Sequence, residues 1–232
     1  MADCDQNSKS PDDAEAQPVR SEREACLGLI MELRARGIRD ARLLSAIERV
    51  PRRLFLTARQ HVLAYVDTQL PIECGQSIPS PSTIAMMLEH LKVRADDRVL
   101  EVGTGSGYQT ALLSKLAGSV MSLERYRTLV DLARQRLATL KADNVNLELA
   151  DGTEGWDNEA PYDRIIISGC VDDVPDALKA QLDDGGILIA PVGEAGHPQR
   201  LLRIERQGNA FVEEELATVR FVPLVGGIAA RL

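Results

Sequence analysis

Apolar residues recur every three or four positions in the first third of the chain, a spacing that predicts amphipathic helices. In the first helix, Leu27, Ile30 and Met31 share one face, Ser21 is the expected capping residue and Gly37 marks the end. Further helices are expected over residues 40–50 with Asp40 as the cap, over 53–64, and over 83–93 with Ser82 as the cap. The stretch GQSIPSP, residues 75–81, lies between the last two of these helices.

From about residue 98 the pattern changes to short apolar runs that alternate with helical segments. Strands are predicted over residues 98–102, 119–124, 145–150, 162–168 and 186–192, and helices over 108–116, 127–141 and 175–182. This alternation is typical of βαβ units and a mainly parallel sheet. The final runs, 200–206 and 211–224, are separated by the short turn QGNA, which predicts an antiparallel hairpin at the sheet edge.

The predicted fold is therefore α/β: a doubly wound, Rossmann-like sheet with an antiparallel C-terminal edge and an N-terminal helical extension. Residues 1–20 are polar and acidic and are expected to form a disordered tail. Residues 21–93 would supply the helices and a substrate and cofactor loop, and 94–232 the ligand-binding core, the two forming one compact unit.

Charge and composition narrow the classes of partner. The formal net charge of −8 argues against nucleic acid, because phosphate binding needs a concentrated basic surface. No apolar run approaches the roughly 18 residues of a membrane span, and the N-terminus lacks the apolar core of a signal peptide. The four cysteines lie far apart without a CxxC pair, which favours reduced thiols and a cytoplasmic location.

The strongest chemical signal is VLEVGTGSGYQT, in which Gly103, Gly105 and Gly107 follow the first strand of the sheet and precede a helix. A loop at that point lies where α/β sheets bind ligands. The spacing departs from the dinucleotide fingerprint, since Tyr108 stands where a glycine would complete it. Glu101 would repel a pyrophosphate there, but it would suit a ligand with an ammonium group and a sulfonium, such as S-adenosylmethionine.

Two further acidic positions follow on the next strands. Glu124 ends the second strand, where an acid accepts hydrogen bonds from ribose hydroxyls, and Asp151 with Gly152 follows the third, where an adenine edge could be recognised. Each feature alone is typical of a surface residue or a tight turn. Together, in this order on successive strands, they predict the fold of an S-adenosylmethionine-dependent methyltransferase.

At this point the chain resembles the protein-L-isoaspartate (D-aspartate) O-methyltransferase family over roughly residues 22–228. The resemblance rests on VPRRLF, LPIECGQSIPSP, VLEVGTGSGYQTALLSKL, SLER, APYDRIIIS, LKAQLDDGGILIAPVG and VRFVPL. It implies methyl transfer from S-adenosyl-L-methionine to the free carboxylate of isoaspartyl residues in damaged proteins, as a first step of repair. Such a carboxylate is ionised at neutral pH and needs no general base, in keeping with the lack of a convincing catalytic triad.

The motifs and the resemblance together give two sets of expected contacts. The predicted cofactor contacts are Ser80, Pro81, Ser82, Thr83, Glu101, Gly103, Thr104, Gly105, Ser106, Gly107, Glu124, Asp151 and Gly152. The predicted substrate contacts are Ile78, Ser168, Gly169, Pro191, Val192, Gly193, Val222, Pro223 and Leu224. The expected partners are isoaspartyl proteins or peptides, without nucleic acid or membrane, and the expected state is a monomer.

One position departs from the family pattern. The family has a serine, its usual active-site residue, where this chain has Pro79. A proline offers neither a hydroxyl nor a backbone N–H. Either the loop shifts so that Ser80 supplies the hydroxyl, or the hydroxyl is dispensable because positioning dominates, or the site is retuned to another carboxylate or inactive; Ser77 is a separate candidate donor. We favour the first two interpretations combined.

Two alternatives to isoaspartyl methylation stay open. Pro79 is compatible with a methyltransferase for a different carboxylate or a small molecule. A protein that binds S-adenosylmethionine without transferring its methyl group would show the same glycine loop.

Overall fold

A computed structural model describes residues 21–229 of the chain, so the predicted tail, 1–20, lies outside the described residues. The N-terminal part consists of helices α1 (Glu22–Ala35) and α2 (Ala41–Arg49), two short 3-10 segments (Arg52–Phe55 and Ala58–Leu63), strands β1 (Leu70–Pro71) and β2 (Ser77–Ile78), and helix α3 (Pro81–Leu91). Ser21 and Asp40 cap α1 and α2 as predicted.

Several details of this part differ from the prediction, beginning with Leu27 and Met31, which are exposed although the predicted apolar face of the first helix includes them. The expected helix over 53–64 is wrong, because Leu56 and Thr57 have extended backbone and divide it into the two 3-10 segments. The predicted cap at Ser82 is also wrong. Ser80 caps α3 with its side chain, which accepts a hydrogen bond from the Thr83 amide, and Pro81 occupies the first turn, where a missing N–H has no cost.

The central sheet follows the predicted alternation. Its elements are β3 (Arg98–Val102), α4 (Tyr108–Leu116), β4 (Ser119–Glu124), α5 (Arg127–Thr139), β5 (Val145–Leu149), β6 (Tyr162–Ile167), α6 (Asp176–Ala180), β7 (Leu182–Val192), β8 (Gln199–Gln207) and β9 (Ala210–Val219). The strand order is β5-β4-β3-β6-β7-β8-β9, with β3 to β7 parallel and β8 and β9 antiparallel. The predicted fold class is thereby confirmed, including the antiparallel edge.

The two faces of the sheet bury different elements because successive side chains of a strand point to opposite sides. Val99 packs into a core shared with helices α1 to α5, whereas Leu100 packs into a second core with α6 and the loop around Trp156. The last predicted strand is too long: β9 ends at Val219, and beyond it Pro223 forms an isolated parallel bridge with Cys170.

The orientation of the sheet determines where a ligand can bind. The carboxyl ends of β3, β4 and β6 meet at one edge, where the glycine loop after β3 and the segment from residue 220 onward also lie. Within residues 21–229, no helix combines the length and the hydropathy of a membrane span.

Candidate active site

The glycine loop between β3 and α4 adopts a backbone that side chains would disturb. Gly103, Gly105 and Gly107 all have positive φ angles, of 92°, 55° and 88°. The amides of Gly103 and Thr104 both donate to the carbonyl of Leu123, which ties the loop to the end of β4. The loop is thus held open beside the neighbouring strand ends.

Among the described residues, two neighbouring cavities border this loop. The first, here called the loop cavity, measures about 60 Å³ and is lined by Gln76, Ser77, Ile78, Pro79, Ile84, Gly103, Thr104, Gly105, Ser106, Gln109, Glu124, Ser168 and Val222. The second, here called the C-terminal cavity, measures about 230 Å³ and is lined by Gly75, Gln76, Val102, Gly103, Leu123, Glu124, Arg125, Tyr126, Gly152, Ser168, Gly169, Val222, Pro223, Leu224 and Val225. They share Gln76, Gly103, Glu124, Ser168 and Val222, so one continuous ligand could occupy both.

Glu124 lines both cavities, and its carboxylate is fixed by backbone amides. One oxygen accepts from the Gly105 amide at 2.9 Å, and the other accepts from the amides of Arg125 and Tyr126 at 2.8 and 3.0 Å. Burial raises the pKa of Glu124, and these hydrogen bonds oppose the rise. The Glu124 side chain is therefore an oriented acid in the lining of both cavities. Its contact with ribose hydroxyls remains a prediction.

Glu101 is placed differently from the expectation of a carboxylate at the mouth of the sheet. Its side chain is fully buried and lines neither cavity. It accepts hydrogen bonds from Gln109 Nε2, Thr110 Oγ1 and Ser122 Oγ. Burial raises the pKa of Glu101 to about 7, although these three donors partly counteract it. Glu101 therefore has no direct contact with either cavity, and a hydrogen-bonding partner links it to their lining.

Gln109 is such a partner, and sequence reasoning missed it. Its Nε2 lies 2.9 Å from Glu101 Oε1 and 2.8 Å from Ser168 Oγ, so it joins the buried acid to a serine that lines both cavities. Gln109 is 7% exposed. The sequence did offer one signal for Gln109, namely a polar side chain near the start of the helix that follows the glycine loop. Only the structure shows which groups it contacts.

The proline loop is organised around the same cavity. Ser77, Ile78 and Pro79 line the loop cavity, and their predicted roles toward substrate and cofactor stay predictions. Ser80 does not: its hydroxyl caps α3, lies 2.9 Å from Thr83 Oγ1, and borders a third cavity on the other side of Pro79. The idea that Ser80 replaces the missing hydroxyl therefore has no geometric support.

The other predicted residues divide into those that the structure brings to the cavities and those that it does not. Thr104, Ser106, Gly152, Gly169, Val222, Pro223 and Leu224 line at least one of the two. The following do not: Pro81, Ser82, Gly107, Asp151, Pro191, Val192 and Gly193; Thr83 borders only the third cavity.

Specific contacts explain several of these differences. The Asp151 carboxylate accepts hydrogen bonds from Thr153 and from the Gly227 amide, so it anchors the C-terminal segment. Burial acts to raise the pKa of Asp151, but these hydrogen bonds together hold it below its usual value. A side chain at Gly107 would press against α5, 3.1 Å from Ala133 Cβ, so this glycine serves helix packing.

Comparisons with known proteins agree with this geometry. Residues 24–229 match the family model for protein-L-isoaspartate(D-aspartate) O-methyltransferase (PCMT). The chain belongs to this family. A Protein-L-isoaspartate O-methyltransferase of Parvibaculum lavamentivorans is 52% identical over 203 residues, covering 87% of this chain and 91% of that protein. One of Azorhizobium caulinodans is 49% identical over 222 residues, covering 95% and 99%.

Solved structures of the same family share the fold. A protein-L-isoaspartate O-methyltransferase superposes with a TM-score of 0.80 at 27% identity, covering 88% of this chain and 67% of that one. A putative PCMT from Plasmodium falciparum, in complex with S-adenosyl-L-homocysteine, superposes with a TM-score of 0.74 at 26% identity, covering 85% and 97%. The predicted family membership is thus confirmed.

Proposed function

We propose that this chain transfers a methyl group from S-adenosyl-L-methionine to the free carboxylate of L-isoaspartyl and D-aspartyl residues in damaged proteins and so initiates their repair. The observation that carries this proposal is the arrangement of the glycine loop, Glu124 and the proline loop around two shared cavities, in a member of the PCMT family. The family match favours this substrate over a different carboxylate or a small molecule.

The residues present fit the cofactor. A Cβ at Gly103 would project to 3.4 Å from Ser168 Cβ, so glycine keeps the space between these two strand ends open. Glu124 presents an acid there, which suits ribose hydroxyls and opposes a pyrophosphate. When bound, S-adenosylmethionine supplies a methyl group on a positively charged sulfur, which a carboxylate oxygen takes while the bonding electron pair stays on sulfur.

The task of the protein is then to orient two reactants rather than to move a proton. An isoaspartyl carboxylate is ionised at neutral pH, since its ordinary pKa is near 4, so no general base is required. Holding the reacting atoms in line removes an entropic part of the barrier. Pro79 restricts the loop that borders the cavity, and its carbonyl is fixed by a hydrogen bond from Arg52 at 3.0 Å.

The direct test is methyl transfer to a defined peptide. The purified chain would be incubated with methyl-labelled S-adenosylmethionine and a peptide that contains isoaspartate, with the same peptide containing ordinary aspartate as the control. We expect a base-labile methyl ester on the isoaspartyl peptide only. Absence of any ester, when a relative produces one under the same conditions, would reject the proposal. Binding of the cofactor without transfer would favour a non-enzymatic role.

We further propose that the chain acts as a monomer, on isoaspartyl proteins in the cytoplasm. The support for the compartment is chemical: Cys26, Cys74 and Cys170, the cysteines among the described residues, are all free thiols. Sedimentation analysis at several concentrations would test the monomer, and cell fractionation would test the location.

A further inference from the structure

A hydroxyl that lines the loop cavity can donate a hydrogen bond to an acceptor carboxylate, the part that the serine of the family pattern would take. Pro79 cannot supply a donor, because proline has neither a hydroxyl nor a backbone N–H. Its carbonyl is an acceptor only and is engaged by Arg52. Four other residues that line the cavity carry a hydroxyl: Ser77, Thr104, Ser106 and Ser168. The question is which of them has a free proton that can reach a ligand.

Two of these hydroxyls are largely shielded from the cavity. Thr104 and Ser106 are each 4% exposed. The Thr104 hydroxyl lies 2.6 Å from Ser122 Oγ, inside the network around Glu101, and the Ser106 hydroxyl accepts from the Tyr108 amide beneath the glycine loop. Ser77 and Ser168 remain.

The proton on Ser168 is oriented by a buried chain of hydrogen bonds. An ionised Glu101 can only accept, so Gln109 must turn its amino group, not its carbonyl oxygen, toward Glu101 Oε1. The same amino group then uses its second hydrogen toward Ser168 Oγ. Ser168 is therefore an acceptor in this contact, and among the described residues its hydroxyl proton has no acceptor of its own.

We propose that Ser168 donates this proton in a hydrogen bond to the acceptor carboxylate, with Gln109 and Glu101 as positioning residues that fix the direction of the donor. The inference rests on the proposed function and identifies which hydroxyl serves the site where Pro79 provides none. The position of Ser168 on the border of both cavities places the donor where the acceptor and the cofactor meet.

Ser77 is the competing candidate and provides the comparison. Its hydroxyl accepts a hydrogen bond from Gln69 Nε2, so its proton is also free. Gln69, however, is exposed, whereas Glu101 and Gln109 are buried. The Ser77 hydroxyl, held by an exposed glutamine, would lose rotational freedom when a ligand binds. At Ser168 the buried hydrogen bonds through Gln109 and Glu101 have already removed that freedom, so donation costs less entropy.

The experiment compares steady-state methylation of an isoaspartyl peptide by four variants: Ser168→Ala, Ser168→Thr, Ser77→Ala and, as a buried control, Ser114→Ala. Within residues 21–229, the Ser114 hydroxyl bonds only to the Ala111 carbonyl of its own helix. The assays would be run at a pH above the pKa of Glu101, about 7. We expect Ser168→Ala to lower kcat/KM by about 10- to 100-fold, the effect of losing a hydrogen bond to a charged group. Ser168→Thr, which keeps the hydroxyl, should stay within about threefold of the wild type.

The positioning role is tested by a double-mutant cycle. Gln109→Leu should raise the KM for the peptide in the wild-type background and have a much smaller effect when Ser168 is already alanine, since the two act through one hydroxyl. Independent, multiplicative effects would overturn the positioning role.

Two outcomes would reject Ser168 as the donor: full activity of Ser168→Ala, or a large loss confined to Ser77→Ala. Failure of the proposed function is a separate result, because the wild type itself would then form no ester with the isoaspartyl peptide.

Discussion

The fully buried guanidinium of Arg52 donates a hydrogen bond from Nη2 to the carbonyl of Pro79 at 3.0 Å. Its Nη1 donates to the Ala64 carbonyl at 2.9 Å, and the guanidinium lies over the ring of Tyr108. Burial lowers the pKa of Arg52. The planar guanidinium thus joins the 3-10 segments to the proline loop and fixes one wall of the loop cavity.

Replacing Arg52 by lysine should weaken both the fold and the site. A single ammonium group lacks the planar fork that reaches both carbonyls, so one buried carbonyl would lose its donor. We expect the free energy of unfolding to fall by about 1–3 kcal/mol and the KM for the peptide to rise. Urea denaturation and steady-state kinetics measure the two effects.

Arg53→Lys is the matched control for this prediction. Arg53 is partly exposed and pairs with Glu22 at 3.6 Å, a contact worth at most about 1 kcal/mol. Equal effects of the two substitutions would contradict a special role for Arg52.

Replacing Glu124 by glutamine should weaken binding of S-adenosylmethionine. A glutamine can present an acceptor to one side only, whereas the Glu124 carboxylate accepts from backbone amides on both sides. We expect the Kd, measured by calorimetry, to rise about tenfold or more, the effect of one charge-assisted hydrogen bond. Glu148→Gln, at an exposed position of β5, should leave the Kd unchanged; a similar weakening by both variants would argue against a cofactor contact.

Glu101 should make stability depend on pH. Its folded-state pKa of about 7 lies above the ordinary value of 4.5, mainly because of burial. Between these two pH values, the folded chain holds a proton on Glu101 that the unfolded chain has released. The stabilisation from this group is therefore complete below about pH 4.5 and is lost as the pH rises through about 7.

The size of this effect follows from the difference between the two pKa values, about 3 kcal/mol at 1.36 kcal/mol per unit. Glu101→Gln removes the titration, so the stability of the wild type relative to this variant should decrease by about that amount between acidic and mildly alkaline pH. Urea denaturation across this range would show it. A difference that does not vary with pH would contradict the buried, titrating carboxyl.

Restoring a serine at position 79 should have little effect. If Ser168 already provides the donor, Pro79→Ser adds a second hydroxyl at the cavity and should change kcat/KM for the isoaspartyl peptide by less than about threefold. Activity that appears only in Pro79→Ser would instead indicate that the wild type serves a different substrate.

The sequence predicted those features that depend on periodicity. Strand β3 and helix α4 have the predicted bounds because an apolar run and the glycines after it mark their ends. The site was harder to predict than the fold. From the sequence, Glu101 is an acid at the end of a strand, and only the parallel register shows that it lies opposite Ser122 and is hydrogen-bonded inside the protein. The cap of α3 was misassigned because two serines flank Pro81, and local spacing did not distinguish them.

Gln109 was missed for a related reason. Its two partners are 8 and 59 residues away along the chain, and no periodic pattern connects them. Contacts of this kind depend on how β3, β6 and α4 pack together.

The central claim is that methyl transfer takes place where the two cavities meet. A crystal structure of the chain with S-adenosyl-L-homocysteine and an isoaspartyl peptide tests it most directly. We predict the nucleoside beside Glu124 and the glycine loop, and the isoaspartyl carboxylate within hydrogen-bond distance of Ser168 Oγ and next to Pro79. A nucleoside bound elsewhere, or a carboxylate remote from both residues, would contradict the account.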